Sequence, residues 1–145
     1  MKKILYLSSF LLCCVYACKN EDKKPASEND VDAVRNFIQA ALEGNYEKAK
    51  TFMVPDSVSM ERMNNIERVN LSPDEKKGLA AASINIHDIN RTNDSTTIVV
   101  YSNSFKNNRD TLRALRTKGQ WLVDFNYLFD HDTDTLMNRK DTLGK

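Results

Sequence analysis

A chain of 145 residues with 21 basic and 20 acidic side chains suffices for one domain, and its charge is too even to steer it toward nucleic acid or an anionic bilayer. Its three cysteines, Cys13, Cys14 and Cys18, all lie at the start, so the remainder can form no internal disulfide. What folds must be held by an apolar core alone, which favours a sheet-and-helix domain over a small stapled scaffold.

Lys2 and Lys3 precede an apolar run from Ile4 to Val15, and polarity switches abruptly at Lys19. A basic start, a short apolar stretch and a small residue, Ala17, before the switch are the layout of a secretory signal peptide over residues 1–17. The run is too short to cross ~30 Å of hydrocarbon, for which a helix needs ~20 residues. Cleavage would leave Cys18 as a lone thiol in an exported domain, which calls for an explanation. The tetrad Val15-Tyr16-Ala17-Cys18 resembles the lipobox of bacterial lipoproteins. That resemblance implies a Cys18 carrying a diacylglycerol and an N-acyl group, more than one chain being what stable anchoring requires. It places the protein in the cell envelope, lipid-anchored to the outer membrane. Residues 18–28 hold nothing aliphatic larger than Ala26 and include Pro25, so they read as a solvated tether. Within it, Lys19-Asn20-Glu21-Asp22 resembles the acidic motif that routes some gram-negative lipoproteins to the cell surface, which implies surface display.

The folded domain is expected over residues 29–129. Ser27 is placed to cap a first helix, with Asp30 reaching back, and Val31, Val34, Ile38, Ala41 and Leu42 recur at helical spacing until Gly44. Asn45 caps a second helix that should run to Pro55 with Tyr46, Ala49, Phe52 and Met53 on one face. Asp56 or Ser57 opens a third, whose Met60 and Met63 read as core gap-fillers more than as the lining of a groove. Ser72-Pro73-Asp74-Glu75 combines a cap, a proline at the first helical position and a glutamate at the third, and predicts a short helix to about Ala82 weakened by Gly78.

From Ile84 the period changes to two. Ile84, Ile86 and Asp88 alternate with Asn85, His87 and Ile89 until Asn93-Asp94 turns the chain. A central strand over Thr96 to Phe105 puts Thr97, Val99, Tyr101, Asn103 and Phe105 on one side. Arg109 to Thr117 returns, and a last strand carries Trp121, Val123, Phe125 and Tyr127 on one face and Leu122, Asp124 and Asn126 on the other. Helices followed by four strands on short turns predict an α+β fold, with helices packed on one side of a curved four-stranded antiparallel meander.

The Gly44-Asn45-Tyr46-Glu47-Lys48-Ala49 segment, and a last strand opening Gly119-Gln120-Trp121-Leu122-Val123, resemble the cone-shaped nuclear-transport-factor-two-like superfamily. More narrowly, the chain is similar to small bacterial lipoproteins related to lumazine-binding-like and cystatin-like proteins. The resemblance implies a pocket inside the cone and leaves homodimerisation through the open sheet face plausible; it carries no catalytic residue over, since these motifs answer to turns and core.

Candidate chemistry is sparse. His87 beside Asp88 could pair a base with an orienting carboxylate, but adjacent residues of a regular strand face opposite ways unless a bulge intervenes. Tyr101, Asn103, Asp124 and Tyr127 are the residues that could furnish a pocket, with Asp124 and Tyr127 out of phase. The polar tail, residues 130–145, opens Asp130-His131-Asp132-Thr133-Asp134, yet Thr135 stands where a calcium loop needs glycine, so no metal is implied. Nucleophile elbows, phosphate loops and CxxC pairs are absent, and no cofactor is implied. The expectation is a non-catalytic envelope lipoprotein whose domain binds a small ligand, a peptide or an envelope partner; the alternative is an enzyme using acid-base chemistry in the pocket.

Overall fold

A computed structural model of the chain describes Ser27 and residues 29–130. The segment expected to be a signal peptide, Cys18, the remainder of the expected tether and residues 131–145 lie outside the described residues, and with them the acylation and metal-loop readings. Four helices, α1 (Asp30–Leu42), α2 (Tyr46–Thr51), α3 (Ser57–Glu67) and α4 (Pro73–Ala80), precede four strands, β1 (Ile84–Asn93), β2 (Thr96–Asn103), β3 (Arg109–Thr117) and β4 (Gln120–Asp124). The strands form one open antiparallel sheet in the order β1-β2-β3-β4. The fold is therefore α+β, with the helical block before a four-stranded meander.

Asn29, not Ser27, caps α1: its Oδ1 accepts from the Asp32 N–H at 2.9 Å. Asp30 cannot reach back as a capping box requires, because its carboxylate is drawn toward the sheet by Arg91 and Thr97. Ser27 is buried instead, with the Asn36 amide 3.4 Å from its hydroxyl. Ala33, Val34, Phe37, Ile38 and Ala40 form the buried face of α1. Gly44, at φ 73, turns the chain, and Asn45 caps α2 by accepting from the Lys48 N–H at 3.1 Å.

The second helix stops at Thr51, short of Pro55. Residues 52–54 leave it to lie along β4: Val123 N–H donates to the Phe52 carbonyl at 2.8 Å, and Val54 N–H donates to the Val123 carbonyl at 2.9 Å. An open strand edge leaves a row of unpaired backbone groups, and satisfying them outweighs one more turn of helix. Asp56 then caps α3, accepting from the Ser59 N–H at 2.8 Å, and the Asn126 amide reaches the same oxygen at 3.1 Å. Ser72 and Glu75 form the expected capping box of α4. Gly78, which weakens α4, lies against Phe105: a Cβ there would sit 2.2 Å from the Phe105 ring.

The strands depart from the regular alternation expected in four places. The register of β1 slips between Ile86 and Asp88 and again between Arg91 and Asn93, so β1 is bulged twice. β2 ends at Asn103, whose Oδ1 accepts from the N–H groups of Phe105 and Lys106 at 3.1 and 2.9 Å, so Phe105 belongs to the turn and not to the strand. β4 ends at Asp124, and residues 127–130 form a helical turn, so Phe125 and Tyr127 do not share a strand face with Val123. Val99, Leu112, Ala114 and Val123 meet the α1 face in the core, joined by Phe37, Met53 and Met63. Burying a side chain of this size fully is worth about 1.5–3 kcal/mol.

Candidate functional site

The helices do not fill the inner face of the sheet completely. A cavity of about 380 Å³ remains between the four helices and the part of β2 and β3 nearest the turn that joins them. Its wall is apolar: Ile38, Ala41 and Leu42 from α1, Met63 and Ile66 from α3, Leu71 and Leu79 at α4, and Phe125 and Leu128 after β4. Met63 thus serves both roles considered for it, buried in the core and lining the cavity.

Apart from the Tyr46 phenol from α2, the polar side chains of the cavity come from β2, β3 and the turn between them. Tyr101 and Asn103 project inward from β2 with Thr97 and Val99, as alternation requires. Asp110 stands opposite Tyr101 in the β2–β3 register, and Lys106 comes from the turn that Asn103 holds. Burial, together with the Asp110 carboxylate, pushes the Tyr101 phenol well above its ordinary value and keeps it a neutral donor.

Of the four pocket candidates, Tyr101 and Asn103 line the cavity, whereas Asp124 and Tyr127 stand across the sheet. Asp124 pairs with Arg113 in the β3–β4 register and accepts from the Arg113 Nε at 3.0 Å and from its terminal nitrogen. The same guanidinium lies 4.7 Å from the centroid of the Tyr127 ring. Asp124 and Tyr127 are thus brought together by Arg113, because the strand stops at Asp124 and the helical turn swings Tyr127 round. Their contact lies on the outer face, whereas Phe125 and Leu128 of the same segment line the cavity.

His87 and Asp88 sit at the first bulge of β1, where the regular strand assumed from sequence fails. Ile86 opposes Tyr101 and Asp88 opposes Val100, which leaves His87 as the extra residue. Its Nε2 lies 2.8 Å from the hydroxyl of Ser102, a residue that opposes Asn85 on the outer face. The contact is a cross-strand hydrogen bond outside the cavity, with Ser102 itself buried.

Sequence reasoning missed Lys106 and Asp110, and a second buried polar cluster at the other end of the inner face. Asp30 is 3% exposed and accepts from Arg91 Nε at 2.8 Å, Arg91 Nη2 at 3.2 Å, the Thr97 hydroxyl at 2.7 Å and the Val31 N–H at 2.9 Å. Burial alone would raise its carboxyl pKa; these donors, Arg91 foremost, overcome that and hold it below the ordinary carboxylate value. At Asp56 burial likewise raises and the donors of Ser59, with the Asn126 amide, lower, again with a net downward shift. The signal for Asp110 was available in principle, since a tight turn after Asn103 sets Asp110 opposite Tyr101. Arg91 was not legible, because its facing depends on the bulges.

Among the described residues, no helix is long and apolar enough to cross a membrane, and no group of three or more His, Cys, Asp or Glu side chains could hold a metal ion. Comparison with known proteins finds no matching family model, no matching curated protein and no matching solved structure.

Proposed function

We propose that the chain is a lipid-anchored protein of the bacterial envelope whose α+β domain, read as a nuclear-transport-factor-two-like cone, takes a small apolar ligand into the cavity between its sheet and its helices. The observation that carries the ligand reading is the cavity wall: the helices and the sheet leave about 380 Å³ open along a mostly apolar surface with a few polar side chains, within the ~300–1,000 Å³ of small-molecule sites. The anchoring rests on the order of residues 1–18, from Lys2 and Lys3 through the apolar run to Cys18. The acid-base alternative loses ground because the sheet separates Asp124 and Tyr127 from Tyr101.

Two measurements test the proposal. Metabolic labelling with a palmitate analogue should mark the wild type and not Cys18→Ala; label persisting on the variant refutes the anchor. The fluorescent apolar probe N-phenylnaphthylamine should bind saturably to the wild type and about tenfold more weakly to Ala41→Trp, which fills the cavity from α1. Equal binding by both would place the probe elsewhere and refute the cavity as the site.

A further inference from the structure

The cavity selects no charged head. Lys106, exposed at its edge, already acts on Glu75 of α4, and Asp110 stands opposite Tyr101, where its carboxylate raises the phenol. With one charge of each sign beside a wall of aliphatic and aromatic side chains, the favoured occupant is uncharged and apolar. The chain carries such a segment close by. Phe125 and Leu128 line the cavity, and Asp130, two residues on, is the last described residue. Arg62 of α3 holds that exit: its guanidinium lies 4.4 Å from the centroid of the Phe129 ring, 3.4 Å from the Asn126 carbonyl oxygen and 3.9 Å from the Asp130 carboxylate. Met63, the next residue of α3, and Ile66 one turn along line the same cavity.

Resting on the reading of this cavity as an apolar-ligand site, we infer that residues 131–145 are its built-in occupant, with Leu136 and Met137 seated against Leu42, Ile66 and Leu79, so that an external ligand must displace them. Leu136, Met137 and Leu143 are the only large apolar side chains of that segment, and the first two are adjacent. Leu136 follows Asp130 by six residues and can lie up to ~20 Å from it, well beyond the span of ~7 Å that leads back to Leu128. The thioether of Met137 adapts to an irregular wall. Tethering holds the pair at an effective concentration in the mM range, so contacts too weak for a free peptide suffice. The segment before Ser27 is placed otherwise: it joins α1 beside Asp30, at the Thr97 end of β2, whereas the cavity lies at the Asn103 end.

The test is titration of the full chain carrying Cys18→Ser with N-phenylnaphthylamine, beside the same chain with Leu136→Ser and Met137→Ser added. Removing the competitor should tighten probe binding about fivefold or more. Both proteins keep every described residue and every other apolar segment, so the difference reports on the pair. Equal binding would overturn the tail as occupant and leave the small-ligand cavity standing, whereas saturable binding by neither would overturn the cavity reading and the inference with it. A second measurement locates the seat. With p-benzoylphenylalanine in place of Met137, irradiation should cross-link the segment within one chain to peptides carrying Leu42, Ile66 or Leu79. Cross-links confined to other peptides, or formed only between two chains, would overturn the intramolecular occupant.

Discussion

Leu112 and Arg113 are neighbours on β3 and end in opposite surroundings. Leu112 is fully buried against the helices, while Arg113 lies on the outer face over Tyr127 and bonds to Asp124. The two faces of one sheet are therefore held by different physics. The inner face gains from removing apolar area from water, and its most buried carboxylate, Asp30, is matched by donors from Arg91, Thr97 and Val31. The outer face relies on pairings such as the part-exposed Arg113 with the mostly buried Asp124, and on cross-strand hydrogen bonds such as that between His87 and Ser102. A cavity can persist on the inner face because helix-to-sheet packing leaves gaps that single side chains cannot bridge, and there a ligand can gain what the protein forgoes.

Breaking the inner face should cost most. Leu112→Ala removes a fully buried side chain between α1 and the sheet, and is expected to lower unfolding free energy by about 2–5 kcal/mol in urea denaturation. A loss under about 1 kcal/mol would mean that the core collapses around the gap. The matched polar cluster comes next. Asp30→Ala strands the Thr97 hydroxyl, which is 1% exposed, and should cost about 1–3 kcal/mol. The same cluster predicts an acid response. Because the folded pKa of Asp30 lies below its unfolded value, the stability it contributes is present above the ordinary Asp value, about 3.9, and is lost as pH falls through the folded pKa. Asp56 adds in the same direction. Wild-type melting temperature should therefore drop on acidification below about pH 4, and Asp30→Asn should flatten that drop. The outer face should yield least. Arg113→Ala leaves the mostly buried Asp124 carboxylate without its charged partner and is expected to cost about 1–2 kcal/mol and to fray the turn at 127–130, read as faster amide exchange there. A larger loss than for Leu112→Ala would reverse the comparison.

The ends of the elements divide along the same line. Asn45, Asp56 and Ser72 cap their helices because a side-chain oxygen reaching an N–H two or three residues on is a local event, written in adjacent residues. Gly44 at φ 73 and the inward set Thr97, Val99, Tyr101 and Asn103 follow from equally local rules. Asn29 displaced Ser27 as a cap because Asp30 had a distant appointment with Arg91 and Thr97. The candidate site splits in the same way: Tyr101 and Asn103 reach the cavity by alternation, while Asp124 and Tyr127 follow Arg113 to the other face.

The order of the elements, their caps and turns, and the two-residue period that aims Tyr101 and Val99 inward were determined by the amino-acid sequence, since each depends on contacts within a few residues. Only the tertiary structure decided where α2 would stop, which residues of β1 would bulge, and that the helices would leave a cavity with Lys106 at its mouth. Those outcomes depend on which distant groups compete for the same backbone edge, the same carboxylate and the same volume, and a linear pattern with a period of two or three and a half carries no record of that competition.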